Sequence, residues 1–157
     1  MAMGQDRAQL MKAGFLAKFV QFTSWPVEPK SHSDEFIITV IGKDPIYSVL
    51  KKIYTNKKMK NFPIKVKQVH KLDEIENPHI LYITKAMESE LDTILKQIQG
   101  KAIMTVGDTD GFCKRGVLIN FYITSKGTLH FEFNSTVMKQ SPLKINLLLL
   151  EIAKVIQ

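Results

Sequence analysis

Apolar positions along this chain recur in two rhythms, and the rhythms predict its elements. Between residues 7 and 22, Phe15, Phe19 and Phe22 fall at spacings of four and three with Leu16 and Val20 beside them, the wide stripe of an amphipathic helix. Trp25-Pro26 ends that helix, because proline disfavours helical backbone in the residue before it. The polar segment Val27 to Asp34 reads as an exposed connector. Phe36 to Ile41 is a continuous apolar run bounded by Gly42, as in a strand buried on both faces. Asp44-Pro45 then supplies a cap and a first-turn proline for a helix whose apolar face is Ile46, Val49, Leu50 and Ile53.

Ile64 to Val69 alternates apolar residues with lysine, which predicts a half-exposed strand near a sheet edge. A short acidic turn at Leu72 to Ile75 leads to a buried strand, Ile80 to Ile83. Met87, Leu91, Ile94, Leu95 and Ile98 form a second helical stripe stopped by Gly100, and a strand from Ala102 to Val106 follows. The order β-α-β-β-α-β points to parallel strands joined by right-handed crossovers. Beyond it, Val117 to Ile123 and Thr128 to Asn134 flank the turn Ser125-Lys126-Gly127, an antiparallel hairpin. Its apolar face is Val117, Ile119, Phe121, Ile123, Leu129, Phe131 and Phe133; its polar face is Asn120, Tyr122, His130, Glu132 and Asn134. Ser141-Pro142 opens a last segment with Leu147 to Leu150, Ile152, Val155 and Ile156, which predicts a terminal helix either deeply packed or shared with another chain. The expected architecture is one α/β domain over residues 7–157. It is a three-layer sandwich, mainly of parallel sheet, with a C-terminal antiparallel hairpin and a terminal helix.

Composition changes this picture little. The 157 residues are 45% hydrophobic and 24% charged, enough for one ordinary core. The net charge of +7 comes almost wholly from lysine, with arginine only at Arg7 and Arg115. Lysines solvate well but do not read phosphates or bases bidentately, so nucleic acid is not the expected partner. Cys113 is the only cysteine, which rules out an intrachain disulfide or thiolate cluster. His32, His70, His79 and His130 show no ligand spacing. Neither a metal nor a cofactor is expected. No apolar run approaches the roughly 20 residues of a membrane span. Lys12 and Lys18 interrupt the first apolar stripe, so the N-terminus lacks the form of a signal peptide, although a leader already removed fits equally.

The richest stretch chemically is Met104 to Gly116, a strand entering a loop with glycines at 107, 111 and 116 that presents Asp108, Asp110, Lys114 and Arg115. A loop at the carboxyl end of a parallel strand lies where open α/β sheets bind ligands. Asp108 and Asp110 read either as a carboxylate pair for acid–base work or Mg²⁺, or as turn residues bonding nearby amides. The glycine spacing fits neither a phosphate loop nor a dinucleotide fingerprint. Cys113 beside Lys114 and Arg115 has the neighbours of an activated thiol but no partnered histidine, and no catalytic constellation emerges. Arg115 reads as a clamp for an acidic group, or as an ion pair with Asp108 or Asp110. Phe112 anchors the loop. Glu132 and Asn134 are ligand candidates on the hairpin's polar face, with Asn134 and Ser135 also suited to capping a helix. Phe15, Phe19, Phe22 and Trp25 are core, or an interface where exposed.

Several stretches occur together in an order that resembles the YfiR-like family. They are Ala17-Lys18-Phe19-Val20-Gln21-Phe22 with Trp25-Pro26, Ile41-Gly42-Lys43-Asp44-Pro45, Pro78 to Ile83, Thr105-Val106-Gly107-Asp108 with Gly111-Phe112, Phe131-Glu132-Phe133-Asn134, and Leu143-Lys144-Ile145-Asn146. Gly107 stands where that family more often has serine, two residues are inserted before Trp25, and the lone cysteine departs from members with disulfides. The resemblance implies a periplasmic, non-enzymatic sensor or regulator. Its partner would be the periplasmic domain of a membrane signalling protein such as a diguanylate cyclase, and the chain would be a homodimer. The alternative is a small-molecule binding domain that uses the 107–116 loop.

Overall fold

The computed structural model describes residues 3–26 and 35–157; the expected connector from Val27 to Asp34 lies outside them. The helices are α1 (Met3–Gln21), α2 (Ile46–Tyr54), α3 (Leu91–Gln97), α4 (Phe112–Arg115) and α5 (Ser135–Gln140). The strands are β1 (Thr23–Ser24), β2 (Phe36–Ile41), β3 (Lys58–Met59), β4 (Phe62–Val69), β5 (Ile80–Ile83), β6 (Met104–Gly107), β7 (Ile119–Ile123), β8 (Leu129–Asn134), β9 (Lys144–Ile145) and β10 (Lys154–Ile156). Eight strands form one sheet in the order β10-β8-β7-β6-β5-β2-β4-β3. β4, β2, β5, β6 and β7 run parallel. The β7–β8 hairpin and the short β3–β4 pair are antiparallel, and β1 with β9 makes a separate antiparallel ribbon.

Strand alternation divides the apolar residues between two cores. Ile38, Val40, Ile80, Tyr82, Met104, Val106, Ile119, Phe121, Phe131 and Phe133 face α1 and α2. Ile41, Leu81, Ile83 and Ile103 face the other way, onto Met87, Leu91, Ile94 and Ile98 of the α3 region and onto Phe112. The three layers expected from the sequence are therefore present, with β4 next to the sheet edge. Gln9, Ala13, Leu16 and Val20 of α1 are buried, a spacing of four, three and four that keeps one stripe against the sheet. The Tyr54 hydroxyl donates to the Ala13 carbonyl, joining α2 to α1. Asp44 caps α2 as expected, its Oδ1 accepting from the Ile46 amide at 2.8 Å.

The terminal helix is a correction. Helical backbone instead occupies Ser135–Gln140, and Leu147–Ile152 is a 3₁₀ turn leading into strand β10. β10 pairs in parallel with β8, Lys154 opposite Glu132 and Ile156 opposite Asn134. The physical reason is the open edge of the hairpin: without β10, the outer backbone groups of β8 would have no partner. The β-branched Val155 and Ile156 suit that role. The leucines are not deeply packed, because only Leu149 is buried while Leu147 and Leu148 are 66% and 56% exposed.

Candidate functional site

α2 lies on one face of the sheet and α3 on the other. The loops leaving β2 and β5 therefore diverge, and an open parallel sheet has its crevice where the connections part. A cleft of about 810 Å³ opens there. Asp44 comes from the loop after β2, Lys85 and Glu88 from the turn after β5, Asp108, Thr109 and Asp110 from the loop after β6, and Ile123 and Gly127 from the hairpin. Ala8, Gln9 and Lys12 close it from α1.

Asp108 is held in the cleft by two side chains. Its Oδ2 accepts from Lys12 Nζ at 3.0 Å and from the Tyr82 hydroxyl at 2.7 Å, with the Lys12 and Asp108 side chains 14% and 12% exposed. Burial first and the Asp108 carboxylate second push the Tyr82 phenol well above its ordinary pKa, so Tyr82 remains a donor. Removing either charged partner would leave a nearly buried charge uncompensated. Asn120 organises the next residue. Its Oδ1 accepts from the Thr109 amide at 3.3 Å, and its Nδ2 donates to the Thr109 carbonyl at 2.9 Å and to Glu132 Oε2 at 3.4 Å.

The other candidates disperse. The loop after Asp110 winds into the single turn α4, bracketed by Gly111 and Gly116 in left-handed backbone (φ 86° and 120°). Arg115 thereby turns onto the α3 side, where its Nη2 lies 3.3 Å from Asp92 Oδ1 rather than against Asp108 or Asp110. That is a surface ion pair, not a clamp in the cleft. Phe112 is fully buried. Cys113 is also fully buried, its thiol pushed up to about 12 by burial and then by Glu132, the opposite of an activated thiol. Asn134 is buried too: Oδ1 caps α5 through the Val137 amide at 3.0 Å, and Nδ2 donates to the Cys113 carbonyl at 2.7 Å. Its capping alternative is the one realised. Glu132 is half-buried on the hairpin face, outside the lining of the cleft.

The aromatic interface candidates are held within the chain. Phe19 is fully buried, its ring 4.9 Å from Phe131 and 5.7 Å from Phe121. Phe15 packs on the same two rings. Phe22 is half-buried. Trp25, also half-buried, packs edge-on to Phe36 at 5.2 Å and donates Nε1–H to the His79 carbonyl at 3.2 Å. Of these, Phe19 is excluded as an interface residue by its own core.

Gln9, Lys12, Asp44, Lys85, Glu88 and Thr109 line the cleft without having stood out as site residues in the sequence. They come from elements far apart in the chain and form no motif; Lys12 showed only as a break in an apolar stripe. Among the described residues, no group of three His, Cys, Asp or Glu side chains is placed to hold a metal ion.

A YfiR/HmsC-like family model matches residues 9–154. The chain belongs to the YfiR/HmsC-like family. A crystal structure of a conserved domain protein from Vibrio cholerae O1 biovar El Tor superposes with a TM-score of 0.63 at 10% identity, covering 95% of this chain and 60% of that one. That likeness concerns the fold, and this chain spans about 60% of the other's length. Among curated proteins, none matches. No helix among the described residues is long and apolar enough to cross a membrane.

Proposed function

We propose that this YfiR/HmsC-like chain is a periplasmic regulatory module that acts by protein contact on a membrane-anchored signalling protein, a diguanylate cyclase being the partner to which the family points. The observation that carries the reading is the family match across residues 9–154. The inert chemistry of the conspicuous side chains accords with regulation by contact: Cys113 is buried with a raised pKa, Arg115 pairs with Asp92, and Asn134 is a cap. We also assign a homodimer. Strand β10 ends the large sheet, and the neighbouring Leu147, Leu148, Ile152 and Val155 are exposed. Two copies joined edge to edge would cover this strip in a closed two-fold contact.

Co-purification with the periplasmic domain of a co-encoded membrane cyclase, together with cellular cyclic di-GMP in a strain lacking this gene, tests the regulatory role. Complex formation and an altered cyclic di-GMP level are expected. Absence of association under both oxidising and reducing conditions, with cyclic di-GMP unchanged by the deletion, would overturn it. A fusion to a reporter active only in the periplasm tests the compartment.

A further inference from the structure

We propose that the cleft at the carboxyl ends of β2, β5 and β6 binds a small molecule bearing two or more protonated amines, on the scale of a linear triamine. Two buried polar side chains line it with an atom left unpartnered. Gln9 and Thr109 are each 7% exposed, and neither Gln9 Oε1 nor Thr109 Oγ1 has a hydrogen-bond partner among the described residues. Buried polar atoms are nearly always paired, so these two mark a missing partner.

The orientation of Gln9 reveals the polarity of that partner. Its Nε2 lies 3.4 Å from Asp44 Oδ1, and a carboxylate oxygen accepts hydrogen bonds. The amide nitrogen must therefore face Asp44, which leaves the unpartnered atom an acceptor in need of a donor. Thr109 is fixed from behind, its amide and carbonyl both held by Asn120, and its hydroxyl can accept from the same ligand.

Charge selects the class of donor. The lining holds four carboxylates, Asp44, Glu88, Asp108 and Asp110, against two lysines, Lys12 and Lys85. That gives the cleft a net charge of −2 in a chain whose total is +7. Lys12 is already bonded to Asp108; Lys43 and Lys126 neighbour lining residues in sequence but do not line the cleft themselves. An anion would meet Gln9 Oε1 and the carboxylates as repulsion, whereas an ammonium offers hydrogens to both. Asp44 and Glu88 stand on loops after β2 and β5, while Asp110 stands on the loop after β6. A ligand with two separated charges can therefore address both sides. The 810 Å³ volume falls in the range of small-molecule sites.

Titration calorimetry of the purified chain alone, with spermidine as the probe and succinate as its charge opposite, tests the site without reference to any membrane partner. Saturable one-to-one spermidine binding is expected, with no succinate binding. The isosteric Thr109→Val change and the exposed double change Glu88→Gln with Asp110→Asn should each weaken binding by about tenfold or more. Lys85→Ala should bind at least as tightly as the parent, and Glu151→Gln, at an exposed position outside the cleft, should match it. The proposal is overturned by a flat spermidine titration at millimolar ligand, by succinate binding in its place, or by an equal loss in Glu151→Gln. Binding unaffected by the Glu88→Gln and Asp110→Asn pair, whose side chains are exposed enough to leave the fold intact, would also overturn it.

Discussion

Gly42 follows β2 at the crevice with φ of 97°, and a Cβ built there would lie 2.1 Å from Thr84 Oγ1 and 3.0 Å from Met87 Cγ. The threonine cannot easily yield, because its hydroxyl donates to the Ile41 carbonyl at 2.8 Å. Gly42→Ala therefore combines left-handed strain with a buried clash, and urea unfolding should show a loss of about 3 kcal/mol or more. His79 is a second single-residue determinant. Its ring stacks on Phe36 at 4.5 Å and its Nδ1 accepts from the Ile37 amide at 3.1 Å, while burial holds its pKa below the ordinary value. The unfolded chain thus binds this proton more readily than the folded one. The stability contributed by neutral His79 is complete above the unfolded value near 6.5 and declines as pH falls through the lower folded value. His79→Asn keeps an acceptor but cannot titrate, so its unfolding free energy should fall less than the parent's between about pH 7 and pH 5. An equal fall in both proteins would contradict this. Asp108 was legible as a loop residue at a strand end; its partner Lys12 lies 96 positions away, and no local pattern could pair them.

Among elements, the two asparagine caps separate local from tertiary stabilisation. Asn134 and Asn146 each accept from a turn amide at 3.0 Å, but only Asn134 is buried and also bonds the Cys113 carbonyl. Asn146→Ala should cost about 0.5–1 kcal/mol, the usual loss of an exposed cap. Asn134→Ala should cost about 2–3 kcal/mol, since it also leaves a buried carbonyl unpaired. Chemical denaturation of the two variants side by side checks the difference; equal losses would mean that the Asn134–Cys113 tie contributes nothing. The same contrast explains the terminal segment. Its leucines carry high helical propensity, but the unpaired edge of β8 recruits Lys154–Ile156 as a strand. Propensity is local, and the demand of a sheet edge is not.

For the whole molecule, the exposed apolar strip beside β10 makes association the property to measure. Leu148→Asp places a charge in the proposed two-fold contact while altering a side chain that is 56% exposed. Light scattering should show a dimer for the parent and a monomer for this variant, with little change in monomer stability. A monomeric parent at high concentration would remove the assignment.

Periodicity alone determined the two helical layers, the parallel run of strands and the hairpin, because burial of one stripe or one strand face writes itself into neighbouring residues. The motif order also determined the family, and with it the expectation of a regulator. Tertiary structure alone decided that Arg115 faces Asp92, which of the alternatives open to Phe19 and Asn134 is realised, and that Lys154–Ile156 forms an edge strand. It alone assembled Gln9, Lys12, Asp44, Glu88 and Thr109 into one cleft. A parallel sheet gathers the carboxyl ends of strands that are distant in sequence, so such a site has no linear signature.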